Sequence, residues 1–381
     1  MKIGILTLPF NNNYGGFLQE YALMTILKRI GHEVWFIDLQ LKTQRTLLKT
    51  HLSFIKRIIK KYILRKYNFH SIVPSKDVRH DELKSIVTWQ YTRPFVDKYL
   101  YPKISPVNSS KELGYLIDRI HFDAFVSGSD QIWRPKFMGS FLKTTYFDFL
   151  HCRKEKRVVY AASFGTDEWE YSSKLTKEFA ELVKKIDAVS VREESGVSLC
   201  KQYLNIDAQW VLDPTMLLNK EDYITLIENT QTNKSSGDLF CYILDKTEEK
   251  RKLADIVAKQ LSLTPFYMGR KDIYTNIEDQ VMEPVEVWLR GFYDAKFVIT
   301  DSFHGTIFSI LFNKPFVVFA NEMRGNTRFI SLLKMFNLED RLITNCNFDD
   351  KLLFIDYSKT NKIIEKERDK SATYLFNALN S

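Results

Sequence analysis

Apolar residues along this chain fall into short unbroken blocks, and between most blocks they recur at every third or fourth position. Blocks bounded by polar or small residues read as strands buried on both faces, and the intervening periodicity reads as helices. In the first half the pattern predicts strands over 2–8, 34–39, 157–164 and 188–192, a strand followed by a small-residue loop over 122–130, and a helix over 17–29. In the second half it predicts strands over 239–244, 265–268, 296–300 and 316–319 and helices over 220–228, 248–261, 285–292 and 306–312, and a last helix spans 361–379. Residues 40–106 break the alternation with a basic, helix-prone insertion containing Pro74, Pro94, Pro102 and Pro106. This insertion reads as an excursion from the sheet that meets a membrane or an acceptor.

Strand and helix alternation of this kind makes parallel sheets covered by helices. A chain of 381 residues exceeds the roughly 250–300 residues at which single cores stop growing. Pro214, in Val211-Leu212-Asp213-Pro214-Thr215, interrupts regular structure and marks the crossover. The expected organisation is an N-terminal α/β domain over 1–212 on the acceptor side, a C-terminal α/β domain over 213–360 on the donor side, and a helix over 361–381 returning across the first domain. The expected fold class is α/β, with two doubly wound, Rossmann-like domains facing each other across a cleft in the GT-B arrangement. Fold alone does not give the reaction.

The formal net charge of +8, from 55 Lys+Arg against 47 Asp+Glu, suits an anionic partner. Part of the excess is concentrated in residues 56–66, KRIIKKYILRK, where cations alternate with Ile, Tyr and Leu at helical spacing. That pattern fits a helix lying on anionic lipid, and equally a solvated helix face with an apolar underside. No RNA- or DNA-binding motif accompanies the charge, so no nucleic-acid partner is expected. Cys152, Cys200, Cys241 and Cys346 form no ligand cluster, which points to reduced thiols and no metal. No apolar run is long enough to span a bilayer and the first strand begins at once, so a cytoplasmic protein is expected, soluble or peripheral at the inner membrane face.

Candidate chemistry gathers where strands end. In Val298-Ile299-Thr300-Asp301-Ser302-Phe303-His304-Gly305-Thr306 a histidine falls at a strand-to-helix turn, beside free helix amides that favour an anion. Gly305 permits the tight turn, and Asp301 and Ser302 crowd it. A second such loop, Pro9 to Gly16, brings Asn13, Gly15 and Gly16 to a helix entrance where a ligand can approach the backbone. It lacks the GxGxxG spacing of a dinucleotide site.

Several segments in this order resemble the polysaccharide pyruvyltransferase family. They are residues 13–23 (NYGGFLQEYAL), Gly128-Ser129-Asp130-Gln131-Ile132-Trp133, Tyr160-Ala161-Ala162-Ser163-Phe164-Gly165, Ser190-Val191-Arg192-Glu193-Glu194-Ser195-Gly196, Asp213-Pro214-Thr215, and residues 300–306 around His304. Residues 40–106 lie outside the resemblance. It implies an enzyme that moves pyruvate from phosphoenolpyruvate, its donor substrate, onto two sugar hydroxyls as a cyclic ketal, with no other cofactor. The acceptor it implies is a cell-surface glycan precursor, carried on a polyprenyl diphosphate. Arg192 then matches an arginine that contacts phosphoenolpyruvate, and His304 the catalytic histidine. Relatives often carry an arginine two residues before that histidine, where this chain has Ser302; Arg324 and Arg328 are the candidates to replace it.

The chemistry asks for these residue types. A carboxylate and a phosphate on one small enol need several cations, and arginine offers a planar bidentate grip. Protonation of C3 makes C2 electrophilic, a task for a histidine general acid. Asp130 or Asp301 is the candidate base, although an aspartate at such a junction is commonly a cap. Arg192 has an alternative as an ion-pair partner of the glutamates that follow it. Trp133 is a candidate sugar-stacking ring or a core residue, and Gly128, Ser129 and Ser163 complete the expected cleft lining. The competing reading is a GT-B glycosyltransferase using a nucleotide sugar. The sequence leaves open the sugar, the bridged hydroxyls and the oligomeric state.

Overall fold

The computed structural model describes residues 1–10, 12–40, 86–151, 153–269, 277–320, 325–344 and 348–380. They form two parallel sheets. In the first, β1 (Lys2–Leu6), β2 (Glu33–Leu39), β3 (Lys103–Val107), β4 (Ala124–Ser127), β5 (Lys156–Ala162), β6 (Ala188–Val191) and β7 (Gln209–Trp210) lie in the order β3-β2-β1-β4-β5-β6-β7. In the second, β8 (Leu239–Tyr242), β9 (Pro265–Tyr267), β10 (Phe297–Thr300), β11 (Phe316–Phe319) and β12 (Leu342–Ile343) run β12-β11-β10-β8-β9. Strand order reverses between β1 and β4 in one sheet and between β8 and β10 in the other. Ligand crevices of doubly wound sheets open at these reversals, beyond the carboxyl ends of the strands.

Two helices carry the site. The first, α1 (Tyr14–Arg29), begins when the Asn13 side chain accepts from the Gly15 amide at 3.2 Å. The helix Phe303–Leu311 follows β10 and is capped by Ser302, whose Oγ accepts from the Gly305 amide at 3.2 Å. Both helices start three residues before the apolar periodicity does, because a capping side chain satisfies amides that the hydrophobic pattern does not register.

α1 also joins the two domains. Tyr14 stacks on Trp288 at 5.1 Å and donates to the Glu283 carbonyl at 2.9 Å. One apolar core therefore runs from β1 and β4 through α1 to Trp288, Phe292 and Phe308 of the second domain. The last helix, Tyr357–Asn380, crosses back onto the first domain. Ser371 accepts from the Leu212 amide at 3.0 Å, and Tyr374 lies beside Tyr160 of β5.

One expectation is corrected. Residues 40–106 are not wholly an excursion from the sheet, because Lys103–Val107 pairs with β2 as an edge strand, and the helix Arg93–Tyr99 packs Phe95 against Tyr21 of α1. Pro102 and Pro106 hid the strand, yet proline is tolerated at an edge. The basic stretch 56–66 lies outside the described residues. Among those described, no helix is long and apolar enough to cross a membrane.

Candidate functional site

The two reversals face each other, and the side chains that meet there form one buried charge cluster. His304 lies on the first turn of its helix with its Nε2 3.7 Å from Asp213 Oδ2, inside ion-pair range but beyond a hydrogen bond. Asp213 sits at the crossover between the domains. Its Oδ1 accepts from the Thr215 amide at 3.0 Å and the Thr215 hydroxyl at 2.7 Å, and its Oδ2 accepts from Arg192 Nη1 at 2.7 Å. Arg192 also donates to Asp130 Oδ1 at 2.8 Å and to Glu193 Oε1 at 3.0 Å, and its guanidinium lies 4.5 Å from the Phe303 ring centre. Arg328 stands over the same ring at 5.3 Å.

Burial decides the electrostatics of this cluster. It would by itself raise the Asp213 pKa, but His304, Arg192 and the Thr215 hydrogen bond together hold the carboxyl well below the usual range. Asp130 is also lowered: burial opposes ionisation, and the charges of Arg192, His304 and Arg328 outweigh it. Glu193 goes the other way, raised by burial that Arg192 only partly offsets. Arg328 is pushed down to about 10, by burial first and then by Arg192.

His304 is confined from the other side by α1. A Cβ added to Gly15 would lie 2.0 Å from His304 Nδ1, so the ring occupies the space that any other residue there would need. The imidazole is held between the entrance of a helix from the first domain and that of a helix from the second. Beside it opens a cavity of about 270 Å³, lined by Asn13, Asp130, Lys136, Asp301, Ser302 and Arg328 among others. Lys136 and Arg328 share this small space with His304, two helix entrances and the carboxylates of Asp130, Asp245 and Asp301, of which Asp130 pairs with Arg192 and Asp301 with Lys250. The two cations and the helix entrances suit a compact anion.

The other residues singled out from the sequence take the following places. Ser129 donates to the Ala161 carbonyl at 2.9 Å and lies 3.4 Å from Asp213 Oδ2, and its amide donates to Gln19. Asp130 has the left-handed backbone that aspartate tolerates, φ 68°. Ser163 accepts from the Gly165 amide. An added Cβ would strike the Tyr160 carbonyl at Gly128 and the Thr300 hydroxyl at Gly305, whereas Gly16 has room for one. Arg324 lies outside the described residues.

Three placements bear on the expected roles. Trp133 is fully buried, stacked on Tyr146 at 4.8 Å, and so is a core residue with no face for a sugar. Asp301 accepts from the Leu244 and Asp245 amides and from Lys250 at 2.6 Å, so its two oxygens are engaged in holding the loop after β8. All three nitrogens of Arg192 are committed to carboxylates, so a direct hold on a substrate would require it to release one.

Sequence reasoning missed Asp213 as a site residue, along with Lys136 and Phe303. The Asp-Pro-Thr motif was visible, but its turn-capping role concealed that the second carboxylate oxygen faces a histidine from another domain.

A family profile described as "Polysaccharide pyruvyl transferase" matches residues 13–323. The chain belongs to that family. It is therefore a transferase of polysaccharide biosynthesis, and its fold is GT-B. Among solved structures it is similar to the UDP-GlcNAc 2-epimerase of Neisseria meningitidis bound to UDP-GlcNAc, at 7% identity over 100% of this chain and 99% of that one, with a TM-score of 0.50. It is also similar to a mutant TarM from S. aureus, in complex with fondaparinux, alpha-GlcNAc-glycerol and UDP, at 12% identity over 100% of both chains, with a TM-score of 0.49. The first of these likenesses, at 7% identity, shows the fold alone. No curated protein matches the chain.

Proposed function

We propose that this pyruvyl transferase takes its pyruvyl group from phosphoenolpyruvate and joins it to two hydroxyls of a sugar, in a lipid-linked precursor at the cytoplasmic membrane face, forming a cyclic ketal and releasing phosphate. The observation that carries this reading is a histidine backed by a carboxylate at a small cavity that holds two cations: His304 beside Asp213, with Lys136 and Arg328 lining the same 270 Å³. The volume lies just below the roughly 300–1,000 Å³ of pockets for drug-sized ligands, and suits a small, multiply charged donor.

In this reading Arg328 and Lys136 hold the phosphate and carboxylate, and protonated His304 delivers its proton to C3, turning the methylene into a methyl. One sugar hydroxyl adds to C2, the C2–O bond to phosphate breaks, and the second hydroxyl closes the ketal. Of the two hydroxyl protons released, one makes up the proton given to C3 and the other leaves on phosphate. Asp130 lines the cavity and is the base assigned to the hydroxyls, because Asp301 is spent on the loop after β8. Asp213 positions His304, and Arg192 positions Asp130 and Asp213.

A thermal-shift comparison of phosphoenolpyruvate with UDP-sugars, followed by phosphate release on a panel of glycan acceptors, tests this. Stabilisation by phosphoenolpyruvate and a product carrying the mass of a pyruvate ketal are expected. Stabilisation by nucleotide sugars alone would move the protein to nucleotide-sugar chemistry.

A further inference from the structure

A second, larger cavity of about 780 Å³ adjoins the one beside His304, and Phe137 lines both. It opens on the first domain, between the loop after β1, the end of β2 and residues 86–97. Its chemistry differs from its neighbour's. Phe10 and half-buried Trp89 form an aromatic wall, in which Phe10 and Phe17 meet the indole edge-on at 6.5 and 6.3 Å. Around that wall stand Asp38, Gln90, Arg93 and Asp97. Arg93 and Asp97 lie 3.7 Å apart, and Lys103 meets Asp97 at 2.7 Å. The cations at this mouth are thus tied to a carboxylate.

We infer that this cleft is the acceptor subsite and takes a neutral hexose-containing glycan, with Trp89 under a sugar ring and Asp38 and Gln90 accepting and donating hydrogen bonds at its hydroxyls. The inference rests on the pyruvyl-transfer reading for what happens next, but glycan recognition by the cleft stands on its own chemistry. A pyranose presents apolar C–H faces and a rim of hydroxyls, and an aromatic wall ringed by carboxylate and amide groups is complementary to both. An anionic ligand would face Asp38 and Asp97 here. The shared Phe137 places the end of a bound glycan against the cavity that holds the donor.

The test is saturation-transfer NMR and steady-state kinetics on the full chain, with neutral oligosaccharides of glucose, galactose and N-acetylhexosamines as probes. Wild type should bind at least one of them. Trp89→Ala should weaken that binding and raise the acceptor KM by about tenfold or more, equivalent to ~1.4 kcal/mol, while the KM for phosphoenolpyruvate stays within about twofold. Because Trp89 also packs on Phe10 and Phe17, Gln90→Ala at an exposed position is the second variant, with a smaller shift of the same kind, and Trp89→Phe should restore much of the loss. Binding unchanged in both folded alanine variants would overturn the subsite, as would displacement of the glycan by phosphoenolpyruvate alone. Glycan binding that needs Trp89 in a protein that neither binds nor turns over phosphoenolpyruvate would keep the cleft and sink the donor assignment.

Discussion

Gly15→Ala should separate catalysis from folding at this site. The added Cβ would sit 2.0 Å from His304 Nδ1, 2.3 Å from its Cγ and 2.7 Å from its Cε1, whereas ordinary Cβ contacts begin at 3.4 Å. The imidazole must therefore withdraw by about 1.4 Å at Nδ1, the difference between 3.4 and 2.0 Å. Displacement by about 1 Å costs on the order of 10²-fold in rate when the group must meet a reacting atom. The helix should tolerate the change, because alanine is a better helix former than glycine and the clash is with a side chain that can rotate. Crowding should cost about 1–3 kcal/mol of stability at most. Phosphate release from phosphoenolpyruvate with a glycan acceptor gives kcat/KM, and thermal unfolding gives Tm. A fall of about 100-fold with a folded, cooperative melt is expected. Gly114→Ala is the control, since nothing lies within 4 Å of its added Cβ. Wild-type kcat/KM in Gly15→Ala would show that the position of the His304 ring does not govern turnover.

Further outcomes follow from the same cluster and from the sequence. Arg192→Ala leaves Asp130, Glu193 and Asp213 buried without their shared cation, so it should destabilise the protein by about 3–5 kcal/mol. A denaturant melt within 1 kcal/mol of wild type, roughly the value of an exposed pair, would rule out the structural strap. Glu20 is fully enclosed and accepts from Thr7 at 2.5 Å. Burial, against the Thr7 hydrogen bond and together with Asp38 and Asp130, raises its carboxyl well above the usual range. A raised acid pKa means that the stability it contributes is complete below the unfolded value of about 4.3 and declines as pH rises toward the folded value. Glu20→Gln should remove that decline, and a Tm profile from pH 4 to 8 parallel to wild type's would contradict it. Replacing Lys56, Arg57, Lys60, Lys61, Arg65 and Lys66 with Gln should reduce co-sedimentation with anionic liposomes at low salt, at roughly 1 kcal/mol per basic residue near the surface. Equal binding by both proteins would leave that stretch without a membrane role.

Much of the architecture was legible because strands buried on both faces leave unbroken apolar blocks, and the structure places a strand at each of those identified. Boundaries at Asn13 and Ser302 were not legible, since caps work through single hydrogen bonds. β3 was lost to its prolines. The site was half legible. His304 announced itself by falling at a strand-to-helix turn, but the carboxylate facing it comes from residue 213, in a turn between domains, and its orientation depends on how the two sheets meet. Trp133 shows the converse limit. An aromatic after a strand end looks the same in sequence whether it walls a cleft or, as here, stacks on Tyr146 in the core.

The most direct test of pyruvyl transfer through His304 follows labelled phosphoenolpyruvate in deuterated water with a glycan acceptor, comparing wild type with His304→Ala by NMR of the product. In wild type, the labelled carbons should appear in a glycan ketal whose methyl group has gained solvent deuterium, with one phosphate released per ketal. In folded His304→Ala, the product should form about 10²–10⁴-fold more slowly, the usual cost of losing a general acid. Wild-type rates and deuterium incorporation in the variant, or a wild-type product without carbon from phosphoenolpyruvate, would contradict the account.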